Sequence, residues 1–167
     1  MPDVITLILT DHETFRRRFA ELEKLRDDPT AAGVLWAELS AHLEVHASAE
    51  EEHFYPAMLE RIDDAEDETK DAIGDHDDIR EGIRRAAAAE VGSDEWWAAV
   101  QEAREANDHH LEEEEQDDLA PFLQNVPADV RQQIGERFRA FQREHAHGAG
   151  LSYEDKDPDE YVEQHTG

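Results

Sequence analysis

The sequence contains no cysteine in its 167 residues. This absence excludes disulfide bonds, cysteine-bound zinc, iron–sulfur clusters and thiol nucleophiles, because each of them requires a cysteine sulfur. Any metal ion that this chain binds must therefore be held by nitrogen and oxygen atoms of other side chains.

Basic residues are also scarce, since 16 lysines and arginines stand against 44 aspartates and glutamates and give a formal net charge of -28. A charge of this sign repels nucleic-acid phosphates and anionic lipid surfaces, so we expect neither a nucleic-acid nor a membrane partner. The simplest interpretation of the acidity is a strongly solvated surface. Charge alone identifies no partner and no oligomeric state.

Long apolar runs are missing as well, and no stretch approaches a length of about 18 residues, which a membrane-spanning helix requires. The short apolar run at residues 4–9 has no basic segment before it and no small-residue cleavage site after it. We therefore expect a cytoplasmic protein.

The chain does contain apolar residues at helical spacing through nearly its whole length, and no segment alternates as a half-buried strand would. A hydrophobic content of 38% suffices for one compact domain. We predict an all-α fold with four long helices, an additional C-terminal helix and a polar tail. The helical domain comprises residues 1–147, and residues 148–167 form a flexible tail with Tyr153, Tyr161 and His165 on its surface.

Proline, glycine and serine mark the expected ends of these helices. The first helix ends before Pro29, because proline disfavours helical backbone at the preceding residue. The second is expected to kink at Pro56, and the third ends near Gly92. Ser93 is a suitable cap for the fourth helix, and the fifth helix follows Pro127.

Potential metal ligands interrupt the apolar stripes of the first four helices. A buried histidine or carboxylate without a partner costs several kcal/mol, so such residues need an explanation. A lone core histidine is usually an ordinary hydrogen-bonded residue, whereas six such residues together indicate a metal site. The six are His12, His46, Glu50, His76, His110 and Glu114.

The spacing of these residues predicts that they meet in one layer. His46 follows His12 by 34 residues, and His110 follows His76 by the same number. At 1.5 Å per residue, about 15 residues up one helix and about 16 back along the next return the chain to the same height. Each pair therefore spans one helical hairpin.

The two halves of the chain also resemble each other. A shift of 64 residues places His12 on His76, His46 on His110 and Glu50 on Glu114, and it also places Asp11 on Asp75. We interpret this as a duplicated half-site. Each half offers two imidazoles and one carboxylate, and the histidine and glutamate four residues apart project from the same helix face.

Two half-sites of this kind suit two metal ions with the carboxylates as bridges. Nitrogen and carboxylate donors favour iron or manganese and do not exclude zinc, and helix bundles are known to house di-iron carboxylate sites. We therefore predict two iron ions, with positions left for an oxo or hydroxo bridge and for a small ligand.

The order H, HxxxE, H, HxxxE resembles the haemerythrin-like family, also called the HHE cation-binding domain. The similarity runs from about Thr10 to Phe122 and includes HASAEEEHFYP at residues 46–56 and HHLEEEE at residues 109–115. The resemblance implies an up-down four-helix bundle. It further implies that four histidines bind iron and two glutamates bridge the ions: His12, His46, His76, His110, Glu50 and Glu114.

One position departs from the oxygen-carrying members of that family, which have a fifth histidine one turn from the first on the third helix. Here the positions one turn either side of His76 are Ala72 and Arg80. This departure argues against reversible oxygen carriage, and the second HxxxE motif implies chemistry with water, peroxide or nitric oxide. His42 remains an alternative close to the iron, and Glu115 an alternative to Glu114.

We therefore predict a non-haem di-iron protein that binds or reacts with a small oxidant such as O2, hydrogen peroxide or nitric oxide. If it is an enzyme, catalase-like peroxide decomposition is the expected activity. The alternative is an iron or redox sensor without turnover. We expect no catalytic residue separate from the metal site and interpret Glu51, Glu113 and Asp75 as solvated carboxylates. A ferritin-like reading of Glu50 with His53 fails, because the fourth helix has no counterpart.

Overall fold

The computed structural model describes residues 1–166, and within them the chain contains helices and no strand. The predicted all-α bundle with an additional C-terminal helix is therefore confirmed. None of the helices in this range is long and apolar enough to cross a membrane. The α-helices are α1 Val4–Glu23, α2 Pro29–Ala49, α3 Tyr55–Arg61, α4 Glu66–Ala87, α5 Asp94–Glu113, α6 Ala120–Asn125, α7 Ala128–Glu144 and α8 Pro158–Thr166.

Helices α1, α2, α4 and α5 form two antiparallel hairpins. Between α1 and α2, Asp11 contacts His42, whereas Arg18, nearer the hairpin turn, contacts Glu38. Partner numbers that fall as residue numbers rise identify an antiparallel pair. Helix α7 packs against α1, and α8 packs against α4.

The helix ends follow the local chemistry of the sequence. The side chain of Asp28 accepts a hydrogen bond from the Ala31 N–H, and Pro29 occupies the first position of α2. Ser93 accepts from the Trp96 N–H at the start of α5, as predicted. Gly92 precedes this cap with φ +84, a conformation that favours glycine.

The second helix does not break at Pro56 but widens before it. A π-helical segment, Glu50–Phe54, joins α2 to α3, and a second one, Glu114–Leu119, joins α5 to α6. Proline lacks an N–H and crowds the carbonyl four residues back, so a widened turn accommodates Pro56 and Pro121 with little kinking. The second segment is one residue longer, which accounts for the spacing of 65 rather than 64 between the two prolines.

Two apolar clusters fill the bundle, one on each side of a polar layer. The first includes Ile8, Ala49, Ile73 and Leu119, and the second includes Phe15, Leu43, Ile79 and Leu111. Along every long helix the predicted metal ligand lies between a residue of one cluster and a residue of the other. The fold therefore surrounds the polar layer with apolar side chains above and below.

The predicted surface position of Tyr161 is wrong. Tyr161 and Val162 are buried in the first apolar cluster, and the Tyr161 hydroxyl donates to the Glu51 carbonyl. The physical reason is that α8 is amphipathic and docks on α4, a contact that the polar composition of the tail conceals. His165 is exposed as predicted. The domain boundary at residue 147 remains a prediction.

Substitution of Gly82 tests the close contact between α4 and α5. A Cβ atom at Gly82 would lie 2.9 Å from both the backbone nitrogen and the Cβ of Ala103. We expect Gly82→Ala to lower the free energy of unfolding by about 1–3 kcal/mol through overpacking, measured by urea denaturation. Gly74→Ala on the same helix is the control, because its Cβ meets nothing within 4 Å and alanine favours helix. Equal effects of the two substitutions would contradict this account.

Candidate metal centre

All six residues predicted as metal ligands lie together in the polar layer. They come from all four long helices, and each carboxylate is the first residue of a π-helical segment. None of the six is more than 3% exposed. The buried positions are His12 in α1, His46 in α2, Glu50, His76 in α4, His110 in α5 and Glu114.

The donor atoms form two groups that share one carboxylate. In each group, one ligand atom from every residue lies within 4.8 Å of all the others. Glu50 belongs to both groups, so the two candidate positions for a cation are adjacent. The first group is His12, His46, Glu50 and Glu114, and the second is Glu50, His76 and His110.

Each of the two carboxylates faces histidines from both halves of the chain. Oε1 of Glu50 lies 3.2 Å from His46 Nε2 and 3.3 Å from His76 Nε2. Glu114 places Oε1 at 3.1 Å from His12 Nε2 and Oε2 at 3.3 Å from His110 Nε2. This is the arrangement that two bridging carboxylates require.

Buried polar atoms without a hydrogen-bond partner show that the layer fits a cation. Among residues 1–166, His46 Nε2 and both Glu50 oxygens have no such partner although they are shielded from water. Orphaned buried polar atoms are rare in native proteins and call for an ion or ligand. Although burial opposes a charged imidazole, Glu50 and then Asp11 raise the pKa of His46 to about 10. The layer therefore stabilises positive charge, and its nitrogen and oxygen donors suit iron.

A carboxylate lies behind the outer ring nitrogen of every one of the four histidines. Such contacts fix the tautomer and the ring orientation, so that Nε2 is free to face a metal. The distances from Nδ1 are 2.8 Å for His46 with Asp11, 3.0 Å for His12 with Glu115, 3.4 Å for His110 with Asp75 and 3.6 Å for His76 with Glu51.

The outer carboxylates obey the same 64-residue repeat as the histidines, because the shift places Asp11 on Asp75 and Glu51 on Glu115. The sequence analysis noted the first coincidence without a role for it and missed the second. The interpretation of Glu51 as a solvated carboxylate is wrong, since it is 3% exposed. The repeat would have identified these residues had the comparison been extended by one position beyond each ligand.

Arginines extend the repeat by one more shell of contacts. Arg16 Nη1 lies 2.9 Å from Glu115, and Arg80 Nη2 lies 2.6 Å from Glu51. Arg80 is itself buried and also reaches Glu44 at 2.8 Å. Although burial opposes ionisation, His76 and Arg80 hold the pKa of Glu51 below its ordinary value. Each chain of arginine, carboxylate and imidazole keeps the outer carboxylate charged.

Tyr55 breaks the symmetry of the layer. Its hydroxyl donates to Glu114 Oε2 at 2.5 Å and lies 3.4 Å from His76 Nε2. The repeat places no tyrosine at the matching position, which is Leu119 or Ala120 depending on the register. Burial, reinforced by the charge of Glu114, raises the pKa of Tyr55 well above its usual range. The phenol therefore remains a hydrogen-bond donor, a role that sequence reasoning missed.

The two alternative ligands lie outside the donor groups. His42 Nε2 is 3.1 Å from Asp11 Oδ1, so His42 contacts the carboxylate behind His46 rather than the layer itself. Glu115 lies behind His12 in the same way and does not replace Glu114. His53 packs against Phe141, away from the layer.

Comparison with known proteins agrees with this geometry. A family model described as Hemerythrin HHE cation binding domain matches residues 3–123. The matched region includes all six residues of the layer and ends before α7. No curated protein matches the chain, and no solved structure matches it.

Replacement of the shared carboxylate tests the layer as a metal site. A ligand that binds only the folded protein at 100 times its Kd stabilises it by about 2.7 kcal/mol. We expect Fe(II), added without oxygen, to raise the thermal midpoint of the parent protein and to have little effect on Glu50→Gln. Glu52→Gln, an exposed neutralisation two residues away, is the control and should respond like the parent. An equal response of the Glu50→Gln protein would exclude Glu50 as a ligand.

Proposed function

The chain belongs to the hemerythrin HHE cation-binding family, and we propose that its buried layer holds two iron ions that bind or react with a small oxidant. The proposed ligands are His12, His46, Glu50, His76, His110 and Glu114. Glu50 and Glu114 serve as bridges between the ions.

The sharing of Glu50 between two donor groups is the observation that carries this proposal. A single ion would need only one of the groups, whereas both groups are buried. The two oxygens of Glu114 face His12 and His110, one histidine of each group. Each ion would thereby have two imidazoles and an oxygen from each carboxylate.

Iron supplies redox chemistry and Lewis acidity when bound. Four protein donors for each ion are fewer than the six that an octahedral ion accepts, so positions remain for a small ligand. Neither Ala72 nor Arg80 adds an imidazole, and Arg80 is held by Glu44 and Glu51. We therefore favour reaction with peroxide or nitric oxide over reversible carriage of O2.

The protein groups around the layer have distinct tasks in this proposal. The carboxylates behind Nδ1 hold each imidazole in place, and the Tyr55 hydroxyl offers a proton beside Glu114 and His76. The cavity that reaches His110 and Glu114 has a volume of about 100 Å³, which admits only small molecules. Its carboxylates disfavour anionic oxidants and leave neutral ones such as hydrogen peroxide and nitric oxide.

Metal content and peroxide turnover of the iron-loaded protein test the proposal. We expect two irons per chain, an optical spectrum that peroxide changes, and O2 release measured with an electrode. His76→Gln should lose the iron and the O2 release together, while His53→Gln, a histidine outside the layer, should retain both.

The possible outcomes separate the candidate functions. Two irons without turnover, together with a large increase in thermal stability on loading, would support an iron or redox sensor instead of an enzyme. A protein that takes up one iron or none would contradict the di-iron proposal.

A further inference from the structure

An acidic cavity connects the layer with the protein surface beside α4. Nine residues line the cavity, and seven of them carry a carboxylate while none is a lysine or arginine. At its inner end lie Glu114 and His110. A water-excluding pocket of one charge concentrates ions of the opposite charge and repels others. This is the behaviour of a cation path rather than of a general solvent channel.

Asp118 is the least expected of these carboxyl groups. It is 3% exposed and lines the cavity, yet within residues 1–166 it takes part in no hydrogen bond or ion pair. A buried polar side chain without a partner requires an explanation. Burial, and then the charge of Glu114, raises the pKa of Asp118 to about 9, which reflects an excess of negative charge in the cavity. A cation in the cavity would supply the partner that Asp118 lacks.

The cavity opens outward into a groove that offers a second set of metal donors. The groove has a volume of about 600 Å³ and shares Asp71, Asp75 and Glu113 with the cavity. One ligand atom each from Asp75, His109 and Glu113 lies within 4.8 Å of the other two. His109 Nε2 is 3.3 Å from Glu113 Oε1 and 3.9 Å from Asp75 Oδ1. A partly exposed imidazole with two carboxylates suits a hydrated divalent cation.

We propose that Asp75, His109 and Glu113 bind a divalent cation at the surface and that Asp118 guides it through the cavity to Glu114 and His110. This inference rests on the proposed function, because it requires the layer to bind metal. Asp75 joins the two ends of the path, since Oδ1 faces His109 and Oδ2 lies 3.4 Å from His110 Nδ1.

The path belongs to one half of the chain only. The 64-residue repeat retains Asp75 as Asp11 but replaces His109 by Val45 and Glu113 by Ala49. The surface donors are therefore no by-product of the duplicated half-site. They were added where the cavity meets the layer, which is the pattern expected of a distinct function.

The rate of cobalt uptake tests the path. Cobalt(II) binding is followed by its visible absorption after rapid mixing with protein stripped of metal by a chelator. We expect His109→Ala/Glu113→Gln and Asp118→Asn each to slow uptake by about fivefold or more, because charged pockets accelerate ion capture by 10-fold to 1,000-fold. The final occupancy of the layer should stay at two ions. Glu112→Gln, an exposed neutralisation next to Glu113, is the control and should load at the parental rate.

Equilibrium titration provides a second measurement. The parent should bind a third, weaker cobalt ion that the His109→Ala/Glu113→Gln protein lacks and the Glu112→Gln protein keeps. Parental uptake rates in the path variants, or a titration that ends at two ions in the parent, would overturn this inference while the proposed function stands. A parent that binds no cobalt in the layer would overturn both.

Discussion

Six potential metal donors are buried in one layer of the bundle, and burial of any of them without a partner would cost several kcal/mol. The surroundings of the layer follow from this constraint. Apolar clusters close it above and below, and every imidazole has a carboxylate behind it. The carboxylates Glu115 and Glu51 are in turn neutralised by Arg16 and Arg80. Two atoms of one carboxylate and one imidazole nitrogen remain unpaired, which is where a cation would bind.

The two halves of this network have the same plan but different environments. Arg16 is 47% exposed, whereas Arg80 is 1% exposed and pairs with two carboxylates. Segments outside the region that matches the family complete the network, since Gln142 of α7 donates to Asp11 and Lys156 donates to Glu51. Together with Tyr55, these contacts would give two neighbouring ions unequal surroundings. Unequal ions suit a reaction in which a small molecule binds to one of them.

The long helices and the residues that meet in the layer could be predicted from the sequence, because both depend on local periodicity. Apolar spacing determined where the helices lie, and equal spacing within each hairpin placed His12 beside His46 and His76 beside His110. The repeat related the two hairpins. The outer carboxylates could have been found with the same repeat, since Glu51 and Glu115 differ by 64 residues.

Tertiary structure alone decided which groups of distant segments contact each other. Glu115 lies behind His12 and Glu51 behind His76 because α5 crosses α1 and α2 crosses α4 at these heights. Tyr161 is buried because α8 finds an apolar surface on α4 that its own composition does not reveal. The unpartnered Asp118 and its cavity likewise arise where a π-helical segment widens the helix. Helical periodicity is a property of neighbouring residues and can be read from the chain, whereas the pairing of buried charges depends on how complete helices pack.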